Sequence, residues 1–376
     1  MNIRKYIATA FILMFVAVMT AVASAGDDKD RNHMRKSRRW VAFARGVTDG
    51  FFNSPEAGRI GDNLLLYQHH TGGWAKNVNM ARYLDRKERK RVEAAKGDSD
   101  ESTIDNGATT TEITYLARLY NATGKDKYRR AAERGIDYLL EAQYDNGGWP
   151  QFYPRRYGYY RHITYNDGAM INVMRLLDKA AHGIKPFTFL ADSTRERASR
   201  AVEKGIDCIL KTQVRQNGEP TVWCAQHDEH TLQPAKARAY ELVSLSGSES
   251  AGVVLFLMSL PDPSEDVKKS IEAAVEWFRQ SAVKGLYKDY FTDEKGRRDY
   301  RMKPCPQDDF PCHPLWARFY TIDGNRPFFC DRDGIVRYDI SEIGYERRNG
   351  YSWYNEAGAE VLNRYDEWRK THGKEN

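Results

Sequence analysis

The sequence predicts an all-α domain made of helical hairpins set side by side in a ring. Two observations carry this reading. Apolar residues recur at helical spacing along most of the chain, and a segment running from Gln to Trp comes three times: LLYQHHTGGW at 65–74, LLEAQYDNGGW at 139–149 and ILKTQVRQNGEPTVW at 209–223. Gln68, Gln143 and Gln213 are separated by 75 and then 70 residues, room for one helical hairpin per repeat. Each repeat marks a helix end, where Gly takes a left-handed conformation and the Trp folds back over the last turn.

The elements follow from periodicity. TTTEITYLARLYNA at 109–122 puts Ile113, Leu116, Leu119 and Tyr120 on one stripe, and AMINVMRLLDKAA at 169–181 does so with Met170, Val173, Met174 and Leu177. Further amphipathic stretches lie near 38–48, 125–143, 193–214, 249–260, 265–282 and 356–371. Between about 284 and 355 the chain turns aromatic and turn-rich, which predicts short strands and loops. Asp323-Gly324-Asn325 and Asp333-Gly334 read as hairpin turns there, forming an irregular lid on the helical body within a single domain, 26–376.

Composition bounds the function. With 41% hydrophobic, 12% aromatic and 29% charged residues in 376, the chain is an ordinary globular enzyme or binding protein. The amino terminus carries Arg4 and Lys5, an apolar run from Ile7 to Val22 and then Ala23-Ser24-Ala25. That order is a secretory signal cut after about Ala25, giving a secreted or periplasmic protein free of the membrane. The formal charge of +6 falls to +4 once Arg4 and Lys5 leave. The one dense basic run, Arg35-Lys36-Ser37-Arg38-Arg39, reads as a solvated helix start, so no nucleic-acid partner is expected. Five cysteines are too few for a disulfide scaffold, and Cys305 with Cys312 is the plausible local pair.

Three groups of residues could carry chemistry. Thr103-Ile104-Asp105-Asn106-Gly107 and Thr164-Tyr165-Asn166-Asp167-Gly168 each set an Asp beside an Asn at a helix start. Either alone is an N-cap; the two together, at equivalent ends of successive hairpins, suit a hard cation or a sugar at the mouth of the ring. Lys236, Arg238 and Tyr240 alternate, so an extended stretch would aim all three at one face as an anion clamp. Arg318, Arg326, Arg332 and Arg337 form a second guanidinium set among Phe319, Tyr320, Phe328 and Phe329. Cys224, His227 and His230 lack the matching half of a structural zinc site.

GGWPQFYP at 147–154, ITYNDGAM at 163–170, WCAQHD at 223–228, ARAYE at 237–241, SLSGSES at 244–250 and RFY at 318–320 occur in order, and the chain from about residue 35 onward resembles the pectate lyases of polysaccharide lyase family 10. The resemblance implies an α/α toroid, an incomplete barrel of hairpins with a smaller strand-containing part. It also implies Ca²⁺-assisted β-elimination of polygalacturonate. By the same resemblance Asp105 and Asp167 serve the calcium ion, Arg238 is the base, and Arg318 and Arg332 bind substrate carboxylates, with Arg326 able to replace either. Lys236 and Tyr240 line the same clamp and remain alternative bases.

The chemistry demands these types. Removing the C5 proton of a galacturonate and expelling the C4 oxygen builds charge on its carboxylate, which a divalent ion and fixed guanidinium groups neutralise. An arginine acts as a base only if its surroundings, neighbouring cations and desolvation, depress a pKa of about 12 or more. Two other functions fit the same residues: a toroid glycoside hydrolase using Asp105 and Asp167 as acid and base, and a non-catalytic binder of acidic polysaccharide.

Overall fold

The computed structural model describes residues 40–306 and 312–372. The signal segment and the 35–39 basic run lie outside them. The helices are α1 (Trp40–Gly46), α2 (Pro55–Tyr67), α3 (Arg86–Ala94), α4 (Thr110–Thr123), α5 (Asp126–Ala142), α6 (Ala169–Ala181), α7 (Asp192–Thr212), α8 (Gly247–Leu257), α9 (Glu265–Ser281), α10 (Tyr345–Asn349) and α11 (Ala357–His372). Hairpins α4–α5, α6–α7 and α8–α9 stand side by side: α2, α4, α6 and α8 touch in succession, and α11 packs on α8 and α9. The architecture is an α/α toroid, and its core runs continuously from Trp40 to Trp368.

Every α helix expected from periodicity is present to within about three residues, an error of the size that frayed ends produce. Three were not foreseen, α2, α3 and the five-residue α10 inside the region expected to hold strands and loops. In α2 the signals were there, since Ser54 accepts the Ala57 N–H at 3.2 Å and Pro55 opens the first turn. Gly58 and Gly61 dilute the apolar stripe, and Gly61 is required because a Cβ there would lie 2.3 Å from Leu119 of α4.

The three repeats have one physical meaning. Each Gln closes its own helix end and reaches the next hairpin: Gln68 Nε2 donates to Gly72 O and to Ala131 O of α5, both at 2.9 Å. Gln143 donates to Gly147 O (3.0 Å) and Ala201 O of α7 (2.9 Å), and Gln213 to Thr221 O (2.8 Å) and Ser270 O of α9 (3.0 Å). Each Trp donates its indole N–H back into the preceding helix, Trp74 to Leu64 O, Trp149 to Leu139 O and Trp223 to Ile209 O, at 2.7–2.9 Å. The glycines are what let neighbouring hairpins approach. Gly147 has φ 91°, and a Cβ there would stand 2.0 Å from Lys204 O. Gly147→Ala is therefore expected to cost about 2–4 kcal/mol, read as a lower urea midpoint with unchanged slope.

The region 284–355 contains one long hairpin, Leu286–Thr292 with Arg298–Pro304, joined to short pairings. Leu245–Ser246 pairs with Phe319–Tyr320, and Trp316–Ala317 with Tyr354–Asn355. Both foreseen turns exist, at 321–326 and 331–334. Trp316, Phe319, Tyr320, Phe329 and Trp353 are buried, so these strands belong to the core and fix the residues between them. Cys305 and Cys312 form a disulfide; Cys208, Cys224 and Cys330 are free and buried.

One core group titrates near neutrality. Glu112 of α4 is fully buried, its Oε1 accepts the Trp40 indole N–H at 2.6 Å, and its Oε2 has no partner. Burial raises this carboxyl from 4.5 to about 7, against the pull of its hydrogen bonds. The folded state thus prefers the neutral acid. Its contribution is fully present below pH 4.5 and lost as pH climbs to about 7, a change of about 3 kcal/mol. Glu112→Gln should flatten the dependence of the urea midpoint on pH across that interval.

Candidate active site

Two short turns, Asp105–Gly107 before α4 and Asn166–Gly168 before α6, pack against each other. They share a backbone: the middle residue is left-handed in both, Asn106 at φ 53° and Asp167 at φ 52°, and a left-handed Gly follows. Superposing them on that feature sets Asp105 against Asn166 and Asn106 against Asp167. The turns do open equivalent ends of successive hairpins, while the two acids occupy non-equivalent positions within them. The first position points inward, so Asp105 is buried, held by Lys76 Nζ at 2.5 Å and by the Asn106 N–H at 2.9 Å. The second points out, leaving the Asp167 side chain 41% exposed, with Oδ2 accepting from Asn166 Nδ2 at 2.9 Å.

Arg318, delivered between two buried strand pairs, completes the group. Its Nη2 donates to Asn166 Oδ1 and Glu249 Oε1, each at 3.0 Å, and stands 3.6 Å from Asp167 Oδ1. The guanidinium stacks on Tyr351 at 4.2 Å. Burial pulls its pKa down, but Glu249, Tyr351, Asp167 and Glu241 outweigh burial and hold it above the ordinary arginine value. Glu249 is fixed in turn by the Ser246 hydroxyl.

From Tyr351 the network continues to Arg238. The Tyr351 hydroxyl donates to Glu241 Oε1 at 2.8 Å, the same oxygen that Arg238 Nη1 reaches at 3.3 Å. Tyr159 also stands beside Arg238 and favours its charged form. Desolvation lowers its pKa, yet Glu241 and Tyr159 more than reverse this, and Arg238 stays a cation. This is opposite to the environment expected of an arginine base, because the nearest charge is an anion. Asp167, Arg318, Tyr351, Glu241 and Arg238 form one continuous chain of contacts.

The segment around Arg238 is a turn, closed by Glu241 N–H to Arg238 O (2.9 Å) and Ala237 N–H to Glu241 O (3.0 Å). The expected extended alternation fails there. Lys236 is exposed, Arg238 half-buried, and Tyr240 buried beneath Arg347, whose guanidinium lies 4.1 Å from its ring. Arg332 lies at the edge of this cluster, 5.8 Å from the Tyr240 ring, and pairs with Glu346 at 3.2 Å. Arg326 and Arg337 are turned elsewhere: Arg326 stacks on Tyr338 at 3.4 Å, and Arg337 pairs with Asp333. Sequence reasoning missed Lys76, Glu241, Glu249, Arg347 and Tyr351. Glu241 and Glu249 lie inside ARAYE and SLSGSES, and carboxylates next to a guanidinium motif were the available signal.

The Asp105–Asp167 pair is all oxygen, flanked by the amides of Asn106 and Asn166, a donor set suited to a hard cation. Lys76 already neutralises part of Asp105, which leaves Asp167 as the open ligand. His227 is not available to join Cys224 and His230 around a zinc ion. His227 Nε2 accepts the Cys224 N–H at 3.2 Å, its Nδ1 pairs with Leu232 O at 2.9 Å, and burial depresses its pKa to about 4.

The pectic acid lyase family model matches residues 68–362. The chain belongs to the pectic acid lyase family. Family 10 polysaccharide lyase from Cellvibrio cellulosa is similar in structure, with 39% identity and a TM-score of 0.70, over 88% of this chain and 95% of that one. An aspartate-to-alanine mutant of that enzyme in complex with trigalacturonic acid matches at 38% identity and a TM-score of 0.72, over 88% and 96%. No curated protein matches. As a pectate lyase the chain has its candidate catalytic groups at one rim, before α4, α6 and α8. Among the described residues no helix is long and apolar enough to cross a membrane.

Proposed function

We propose that the protein is an exported lyase that cleaves polygalacturonate by calcium-assisted β-elimination. The observation that supports this is the chain of contacts from Asp167 through Arg318, Tyr351 and Glu241 to Arg238, which sets carboxylates and guanidinium groups side by side. Asp167 and Asp105 would hold the calcium ion, which when bound supplies positive charge to the substrate carboxylate. Arg318, whose Nη2 is held by Glu249 and Asn166, offers its remaining Nη1 hydrogens to the uronate carboxylate. Arg332, at the open edge, takes the carboxylate of a neighbouring uronate. Arg238 faces C5 and accepts its proton. Glu241 is then the group that must release Arg238, and Tyr351, already bonded to Glu241 Oε1, is placed to hold it back.

The hydrolase reading has less support. A general acid needs an apolar pocket to stay protonated, whereas Asp105 sits beside Lys76 and Asp167 beside Arg318. The assay is absorbance of the unsaturated uronate released from polygalacturonate, before and after metal is stripped with chelator. Activity is expected to vanish on stripping and to return with added calcium. An undiminished rate in metal-free protein would refute the calcium role, and cleavage without absorbance would indicate hydrolysis.

A further inference from the structure

His230, unused by the site above, stands beside a second cluster. Residues Ile163–Thr164 pair antiparallel with Gln226–His227, so His162 and Asp228 leave the same end of that ladder as cross-strand neighbours, and Glu229 follows. One potential ligand atom from each of His162, Asp228 and Glu229 lies within 4.8 Å of the other two. We propose that these three, with His230, form a second divalent-metal site that prefers a zinc-class ion to calcium.

The geometry is largely in place. His162 Nδ1 and Glu229 Oε2 are 3.1 Å apart. That is close to the edge of about 3.3 Å between ligands of a tetrahedral ion with bonds of ~2.0–2.1 Å. His230 Nε2 lies 3.5 Å from Glu229 Oε1 on a side chain 82% exposed, free to swing in as a fourth ligand. The frame is rigid: Asn146 Nδ2 donates to Glu229 O at 2.7 Å, the Tyr144 hydroxyl to Arg161 O at 2.7 Å, and Asp228 Oδ1 is held by the His230 and Thr231 N–H groups at 3.0 and 2.8 Å. Arg161 Nε pairs with Glu229 Oε1 at 2.9 Å, and its half-exposed side chain is the one an ion would displace. Imidazole nitrogen is the selecting feature, since calcium takes oxygen ligands and zinc takes nitrogen readily. The two segments so tied lead to Tyr159 and Arg238, which stand close enough to influence each other's charge, so the ion would clamp one wall of the cleft.

The site does not depend on the calcium reading. Chelator-washed full-length protein is dialysed against micromolar zinc chloride with millimolar calcium chloride present, and bound zinc is counted. One zinc per chain is expected. His162→Gln and Asp228→Asn, each checked for unchanged circular dichroism, are expected to weaken binding at least about tenfold. Glu229→Gln is avoided as the sole test because it also unpairs Arg161. Absence of bound zinc, wild-type zinc content in both variants, or loss of zinc in Asp167→Asn instead would each overturn the proposal.

Discussion

Arg238→Ala is expected to lower turnover of polygalacturonate about 10²–10⁴-fold while binding of trigalacturonate stays largely intact, as measured by initial rates and calorimetry. The expectation separates two roles the structure sets against each other. At rest Glu241 and Tyr159 keep Arg238 charged, and a charged guanidinium cannot accept a proton. If binding draws Glu241 toward Tyr351, Arg238 loses the largest charge that holds its proton, and burial then pulls toward the neutral form. Arg238→Lys discriminates, because lysine loses its proton near 10.4 and arginine above 12. A proton-accepting role predicts residual activity whose rise with pH sets in at lower pH. A merely electrostatic role predicts an unmoved profile, and that result would remove Arg238 as the base.

Arg318→Ala should be the most damaging single change to both fold and activity. It strips the cation from buried Glu249, releases Asn166 and leaves the Tyr351 ring uncovered. Removing one partner of a buried pair costs about 3–5 kcal/mol, most of it the stranded charge. Arg318→Met combined with Glu249→Gln tests this, since it removes both charges: stability should recover by most of that amount while lyase activity stays absent. Recovered activity in the double variant would show that Arg318 serves packing alone. Arg318→Lys keeps a charge but loses the planar fork, and should retain more stability than activity.

Much of the toroid could be read from the chain, because burial at helical spacing leaves a periodic trace. The Gln and Trp repeat was visible too, although only the coordinates show that each Gln is shared between two hairpins. The Asp-bearing turns, Arg238 and Arg318 were found through local motifs. The alternation at 236–240 misled, since a turn closed by main-chain bonds leaves no periodic mark. Lys76, Tyr351 and Arg347 sit in unremarkable sequence and come to the site only through tertiary packing. Arg326 fails in the opposite way: it looks like its neighbours in sequence, but its ring partner is Tyr338.

The shared glutamines have a bearing on how this enzyme could change. The turn that Gln143 closes runs directly into residues 150–152, whose backbone meets Ile104 and Ile163 beside the two acids. Loosening a single joint would slacken the catalytic mouth together with the frame, so damage at the rim spreads to its neighbours. Innovation in substrate range is more easily accommodated at an exposed side chain outside that linkage, such as Arg332, whose partner Glu346 keeps its second contact to Arg347.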